Sequence, residues 1–122
     1  MSHRLPKECV IRPLRDLLHL LPQLQTDKAG QVDLAHTPLP VLSELIEHAE
    51  DCSSTLHRGI SAIGSLLAHA AIEIEDGTIG SDSVEALGWL LAELGDYGAA
   101  CFMLAAQCRK AKAANTTNKE GK

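Results

Sequence analysis

The fold is decided by the stretch LSELIEHAEDCSSTLHRGISAIGSLLAHAAIEI, which runs from Leu42 to Ile74. On a helical wheel, its apolar side chains fall in one stripe about 100° wide. The stripe comprises Leu42, Leu45, Ile46, Ala49, Leu56, Ile60, Ile63, Leu67, Ala70 and Ile74. The opposite side carries Glu44, Glu47, Asp51, Arg58, Ser65, His69 and Glu73. Because the phase never slips, the stretch predicts one amphipathic helix over about residues 40–75, roughly 50 Å long.

Two features bear on where this helix begins and whether it is continuous. Thr37 can cap its N-terminus, with Pro38 and Pro40 in the first turn. Residues 51–54, Asp-Cys-Ser-Ser, are weak helix formers, so a break or kink near Cys52 stays open as an alternative.

A second long helix is predicted over about residues 82–111. It follows the turn at residues 75–81, in which Gly77 can end the preceding helix. Apolar residues recur with spacing three and four from Val84 to Cys108, next to a stripe of small side chains. That stripe comprises Gly88, Ala92, Gly95, Ala99 and Ala106. Small residues on a helix surface allow another backbone to approach closely. The alternative is that these residues have no packing role.

The remaining segments are short. A helix is predicted over residues 12–21, with Pro13 in its first turn, and residues 23–36 are predicted to form a loop. Residues 113–122 have no apolar face and are predicted to be disordered. The chain is thus expected to be all-α, one domain over residues 1–112, built on a long antiparallel hairpin plus a short N-terminal helix.

The lengths of these helices bear on assembly. A hairpin of 45–50 Å exposes more apolar surface than a helix of about ten residues can cover. We therefore expect a homodimer forming a helical bundle, or a partner protein, to cover the rest. A monomer is the alternative, in which the first helix and the 23–36 loop fold over more of the hairpin.

Charge is distributed unevenly along the chain. The protein has 122 residues and a net charge of -5. Residues 31–96 contain twelve acidic residues and one basic residue, Arg58, whereas the two ends are basic. The imbalance favours a partner protein with a basic surface, although solvated helix faces can also differ in sign. Direct nucleic-acid binding is disfavoured because the long helices are acidic; the basic residues of the ends would have to converge in space to contact phosphates.

One residue suggests where a partner binds. Trp89 falls at the centre of the charged face of the second long helix, among Glu85, Glu93 and Asp96, and Met103 projects in a similar direction. These five residues are the candidate partner-binding site, because Trp is enriched among residues that dominate interface energies. The alternative is that the first helix or the loop covers Trp89 and makes it core. A second candidate surface is the acidic face formed by Glu44, Glu47, Asp51 and Glu73.

The search for catalytic and metal-binding chemistry finds little. The phosphate-loop, dinucleotide, zinc-protease and serine-hydrolase motifs are absent from the sequence, so no catalytic residue or cofactor is assigned and enzymatic activity is not expected. His48 with Cys52, and His69 with Glu73, could each supply only half a metal site, so no metal is assigned. The four cysteines lack CxxC spacing and are expected to be buried, reduced thiols; a metal or redox sensor using Cys52, Cys101 and Cys108 is the minor alternative.

Location follows from similar reasoning. We find no apolar run long enough for a membrane span and no secretory signal at the N-terminus, so a cytoplasmic location is expected. Two hypotheses about function result. The first is a small interaction protein that binds and regulates or inhibits a partner protein. The second is an acidic mimic of nucleic acid, of the kind found in phages and mobile elements, that blocks a nucleic-acid-binding host protein.

Overall fold

The computed structural model describes residues 12–120, with side chains up to Thr117. Its α-helices are α1 (Pro13–Leu20), α2 (Leu39–His69), α3 (Ala71–Glu75) and α4 (Ser81–Glu120), with short 3-10 helices at Leu21–Gln23 and Leu34–His36. This part of the chain has no strand, only an isolated bridge between Thr26 and Val32. The predicted all-α class is confirmed, since the long α2 packs against α4 and the short α1 packs against α2. Predictions for residues 1–11 and 121–122 lie outside the described residues.

The first helix is fixed at its start by proline and aspartate. Pro13 occupies the first turn, where its missing N–H is not needed. The backbone N–H of Arg12 donates to Asp16 Oδ2 at 3.3 Å, which satisfies one of the free donors at this end. The helix buries Leu17 and Leu20 and leaves its other side exposed.

The connection from α1 to α2 is tied together by Thr37, which does not cap α2 as predicted. Pro38 is the residue before α2, and no side chain caps that terminus. Thr37 is buried; its hydroxyl donates to the Asp33 carbonyl at 2.8 Å and accepts from the Gln25 N–H at 3.3 Å. The hydroxyl therefore joins the two ends of the loop, because its Oγ1 lies inside the fold rather than beside the free N–H groups of α2.

Helix α2 is continuous through Cys52 and ends later, at Ala70. The weak helix formers near residue 52 do not interrupt it, because Ala49, Cys52 and Leu56 are all buried there and their packing outweighs local propensity. At Ala70 the backbone leaves helical geometry, with ψ of 9°, and its N–H is shared between the carbonyls of Leu66 and Leu67. The single helix predicted to residue 75 is therefore two helices, α2 and α3. The sequence does not indicate the break, because Ala70 and Ala71 are both strong helix formers.

A tight turn reverses the chain between α3 and α4. Gly77 has φ of +84°, a conformation that other residues rarely adopt, so its role at the end of the helix is as predicted. Asp76 Oδ1 accepts hydrogen bonds from both the N–H and the hydroxyl of Thr78, at 2.8 and 2.6 Å. These bonds lower the pKa of Asp76 below its ordinary value.

Helix α4 is longer than predicted. It runs from Ser81 to Glu120, so residues 113–120 are helical rather than disordered. No Gly or Pro occurs between Ala99 and Glu120, and Ala113 and Ala114 are strong helix formers. The hydroxyls of Thr116 and Thr117 donate to the carbonyls four residues before them, each at 2.9 Å. An apolar face was therefore not required for this segment to be helical.

The core lies at one end of the hairpin, where α1 packs against α2 and the 3-10 helix Leu34–His36 contacts α4. Its buried members are Leu17, Leu20, Leu42, Leu45, Ala49, Cys52, Cys101, Ala105 and Cys108. Between residues 57 and 100, which include the turn, no side chain is fully buried. We call residues 57–100 the distal hairpin; its apolar seam is covered on one side only, by the opposite helix.

Truncating the core should destabilise the protein at the end of the hairpin where α1 packs. Leu45 is fully buried, so Leu45→Ala should lower the free energy of unfolding by about 3 kcal/mol, through lost burial and the cavity that remains. Urea denaturation followed by circular dichroism measures this. The control is Leu18→Ala on α1, whose side chain is 57% exposed and should change the value by no more than about 0.5 kcal/mol. Equal losses in both variants would contradict this location of the core.

Candidate interaction surfaces

Trp89 lies exposed in the first third of α4. Its side chain is 69% accessible, and neither α1 nor the 24–37 connection covers it. The alternative in which Trp89 belongs to the core is therefore not what the structure shows. An exposed Trp on a regular helix combines a large apolar surface with an indole N–H donor, a combination enriched at interfaces.

Carboxylates surround this indole on the same helix. Glu85 and Glu93 lie one turn before and one turn after Trp89, and Asp96 lies two turns after it, all exposed. Helical spacing thus brings the predicted acidic rim to one face. Met103, 56% exposed, lies further along α4 and borders a groove described below, so it belongs to the edge between two surfaces. We call Trp89 with Glu85, Glu93 and Asp96 the Trp89 patch.

The acidic face predicted for α2 is at a different place. Glu44, Glu47 and Asp51 are exposed on α2, on the side turned away from its buried residues. Glu73 is exposed too, but it belongs to α3, beyond the break at Ala70. The outward sides of two paired helices point in opposite directions, so this face and the Trp89 patch lie on opposite edges of the hairpin and do not form one site.

A groove that the sequence did not indicate runs between α2 and α4. Its volume is about 660 Å³, and it is lined by Leu56, Ile60 and Ser61 among others from α2, and by Gly95, Ala99 and Phe102 among others from α4. None of its lining residues, all within the described range, is Asp, Glu, Lys or Arg. Phe102 is 62% exposed and also lines the adjacent pocket, which ends at an ion pair between Arg109 and Glu50.

Glycines on α2 and α4 leave space that the described part of the chain does not fill. A Cβ added at Gly64, Gly88 or Gly95 would meet no atom of the described residues within 4 Å. Each glycine inside a helix costs about 1 kcal/mol relative to alanine. Close packing among the described residues therefore does not explain why glycine occupies these three positions. At Gly98, by contrast, an added Cβ would lie 3.8 Å from Leu56 Cδ1. The sequence showed the small-residue stripe on α4, but it did not show which side of the hairpin the stripe faces.

Three cysteines lie inside the core as free thiols. Cys52, Cys101 and Cys108 are all buried, Cys52 on α2 and the other two on α4, and all three belong to the core. Burial, with Cys101 as a smaller contribution, raises the pKa of Cys52 from 9.0 to about 12. Burial also raises the pKa of Cys101 and of Cys108. These thiols are protonated near neutral pH, which makes them poor nucleophiles.

The predicted half-sites for metal stay incomplete in the described residues. No group of three or more His, Cys, Asp or Glu side chains there could hold a metal ion. His69 Nδ1 donates to the Ser65 carbonyl at 2.8 Å instead of facing Glu73. His48 Nδ1 is buried and has no hydrogen-bond partner within the described part of the chain.

Comparisons with protein-family models, with curated proteins and with solved structures find no match to this chain. None of the helices in residues 12–120 combines the length and hydropathy that a membrane span requires.

Alkaline pH should destabilise the fold through the buried thiols. Because the folded-state pKa of Cys52 is raised from 9.0 to about 12, its contribution to stability is fully present below pH 9. That contribution is lost as the pH rises above 9, since only the unfolded chain then ionises the thiol freely. Urea denaturation at pH 8, 9, 10 and 10.5 should show a progressive fall in the free energy of unfolding. The same series with Cys52→Ala should be shallower above pH 9, and an unchanged slope would contradict the assignment to this thiol.

Proposed function

We propose that this chain is a non-enzymatic interaction protein that binds a partner protein with a basic surface and so regulates or inhibits it. The observation that carries the proposal is the 69% exposed side chain of Trp89 within a ring of carboxylates. We further propose that the protein acts as a homodimer, in the reducing environment of the cytoplasm where its buried thiols stay free.

The chemistry of the Trp89 patch favours a cationic side chain. The face of an indole attracts a guanidinium or ammonium group within about 6 Å of the ring. Glu85 and Glu93 lie one helical turn on either side, so a partner Arg could stack on Trp89 and donate to a carboxylate at once. Such a contact joins an apolar anchor to charge-assisted hydrogen bonds, the arrangement found at binding hot spots.

The second candidate function is mimicry of nucleic acid, of the phage or mobile-element type. The observation that favours it is the row of exposed carboxylates on α2, Glu44, Glu47 and Asp51, at spacings of three and four. Side chains at this spacing lie about 5–6 Å apart along one helix face. A row of negative charge could occupy the phosphate-binding surface of a host protein, without contribution from Trp89.

Substituting Trp89 tests the first proposal. The partner is captured from cells of the source organism with the tagged full chain, identified by mass spectrometry, purified and titrated by isothermal calorimetry. Trp89→Ala should weaken binding by about 2 kcal/mol or more, roughly thirtyfold, and leave the melting temperature within about 2 °C. The control is Leu66→Ala, which removes an equally exposed side chain, also 69% accessible, from α2. Equal affinities of both variants and the wild type would overturn the proposal.

Ionic strength separates the two functions. Binding through Trp89 should keep most of its affinity between 0.05 M and about 0.5 M salt, because the apolar contact of the indole is not screened and only the contribution of the surrounding carboxylates weakens. Mimicry of nucleic acid should fade steeply over the same range, and Glu44→Gln/Glu47→Gln/Asp51→Asn should abolish it. The measurement is the same titration repeated at four salt concentrations. A steep salt dependence with normal binding by Trp89→Ala would favour mimicry.

A further inference from the structure

A pocket between α2 and α4 brings cationic and hydroxyl side chains together in an otherwise acidic part of the chain. Its volume is about 500 Å³, and it is lined from α2 by side chains between Glu50 and Arg58 and from α4 by side chains between Phe102 and Arg109. We call it the Arg58 pocket. It adjoins the uncharged groove, with Phe102 on the border between the two. Volumes of about 300–1,000 Å³ are typical of small-molecule sites.

We infer that the Arg58 pocket binds a small phosphate ester that carries an aromatic ring, of the class of nucleoside monophosphates. The pocket is separate from the Trp89 patch, because Phe102 lies about 20 Å further along α4 than Trp89. The inference therefore adds a ligand to the proposed function and does not depend on it.

The distribution of charge is the first argument. Residues 31–96 contain twelve acidic residues and one basic residue, and that basic residue is Arg58. The fold sets it opposite Arg109 of α4, so that two guanidinium groups line one pocket. Side chains on a helix lean toward its N-terminus, and α2 and α4 run in opposite directions, so the two arginines lean toward each other. The pocket has one carboxylate, that of Glu50, which forms an ion pair with Arg109.

Unused hydrogen-bond donors are the second argument. The guanidinium of Arg58 and the ring of His57 have no hydrogen-bond or ion-pair partner among residues 12–117, and the same holds for the hydroxyls of Ser53 and Ser54. A phosphate group offers three strong acceptor oxygens to such donors, one more than a carboxylate. Guanidinium groups bind phosphate through paired, charge-assisted hydrogen bonds. The donors of the pocket therefore favour a phosphate as the anion.

The aromatic wall is the third argument. Phe102 is 62% exposed and lines the pocket beside the buried Ala105. A nucleobase has a π-face that stacks on such a ring. Because Phe102 and the arginines share one pocket, a ligand that joins a base to a phosphate meets both. Glu50 holds Arg109 through Oε1, which leaves Oε2 to accept a hydrogen bond from a ribose hydroxyl.

The surroundings of the pocket favour a free mononucleotide over a nucleic-acid strand. Glu47 lies one turn before Glu50 on α2, and Asp51 lines the neighbouring pocket on the other side of Ser54 and Arg58. Both carboxylates are exposed. A strand that continued along α2 would bring further phosphates against them, and like charges repel.

The test is a titration of the full chain with adenosine 5′-monophosphate and with its two halves, adenosine and ribose 5-phosphate, followed by backbone amide NMR shifts. The mononucleotide should bind with a dissociation constant below about 1 mM. It should bind at least about tenfold tighter than either half, because only the whole molecule meets both the ring and the cations. No binding below about 1 mM, or equal binding of the mononucleotide and ribose 5-phosphate, would overturn the inference.

Matched variants locate the ligand. Arg58→Gln should weaken binding of the mononucleotide at least about tenfold, whereas Lys110→Gln, which removes the same charge from an exposed position outside the pocket, should change it less than about twofold. Phe102→Leu should weaken binding about fivefold or more, because it removes the stacking face, and Trp89→Ala should bind as the wild type does. Equal losses in Arg58→Gln and Lys110→Gln, or a loss in Trp89→Ala without one in Phe102→Leu, would contradict this location.

A single-stranded deoxyadenylate hexamer distinguishes a free nucleotide from a strand. It should bind no more tightly than adenosine 5′-monophosphate, because Glu47 and Asp51 repel its further phosphates. Tighter binding of the hexamer that is lost in Arg58→Gln would show a site for nucleic acid and overturn the choice of a mononucleotide.

Discussion

The whole structure depends on the contact between α2 and α4, which is longer than the other elements of residues 12–120 can cover. Helix α2 has 31 residues and α1 has 8, so α1 spans about a quarter of the seam. Where α1 lies, Leu42, Leu45 and Cys52 are completely buried. Beyond Leu56 the helices have only each other, and apolar side chains such as Ile63 and Leu94 remain partly accessible. Stability is concentrated at the end of the hairpin where α1 packs. The other end leaves apolar surface available for contacts.

That division places different chemistry on different sides of one hairpin. The edge that carries Trp89 has carboxylates around an aromatic ring and suits a cationic partner. The groove between α2 and α4 is lined by small and apolar side chains together with Ser53, Ser61 and His57, and none of its lining residues is Asp, Glu, Lys or Arg. Helix α4 contributes to both surfaces. Neighbouring residues of one turn therefore meet different requirements, as where Gly95 lines the groove and Asp96 belongs to the Trp89 patch. This explains why α4 as a whole lacks a simple two-sided pattern although α2 has one.

Hydrophobic periodicity was sufficient to predict the long helices and the turn at Gly77, because the unbroken phase over residues 42–74 reflects real packing. Periodicity failed to predict the structure of segments whose conformation does not depend on the packing of an apolar face. The break at Ala70 occurs between alanines, which fit either conformation, and the helix through residues 113–120 has no apolar face to reveal it. Thr37 was predicted as a cap from its type alone, whereas its hydroxyl joins Asp33 to Gln25 within the fold.

The surfaces were predictable only one helix at a time. A helical wheel puts Trp89 among Glu85 and Glu93, and this held because all three belong to one helix. The groove, by contrast, needs two helices turned so that the uncharged sector of α2 and the small-residue stripe of α4 lie on the same side of the hairpin. Phe102 is a similar case, because the sequence shows an aromatic residue near the seam, and only the paired helices show that its ring lines the groove and is left 62% exposed by the described residues.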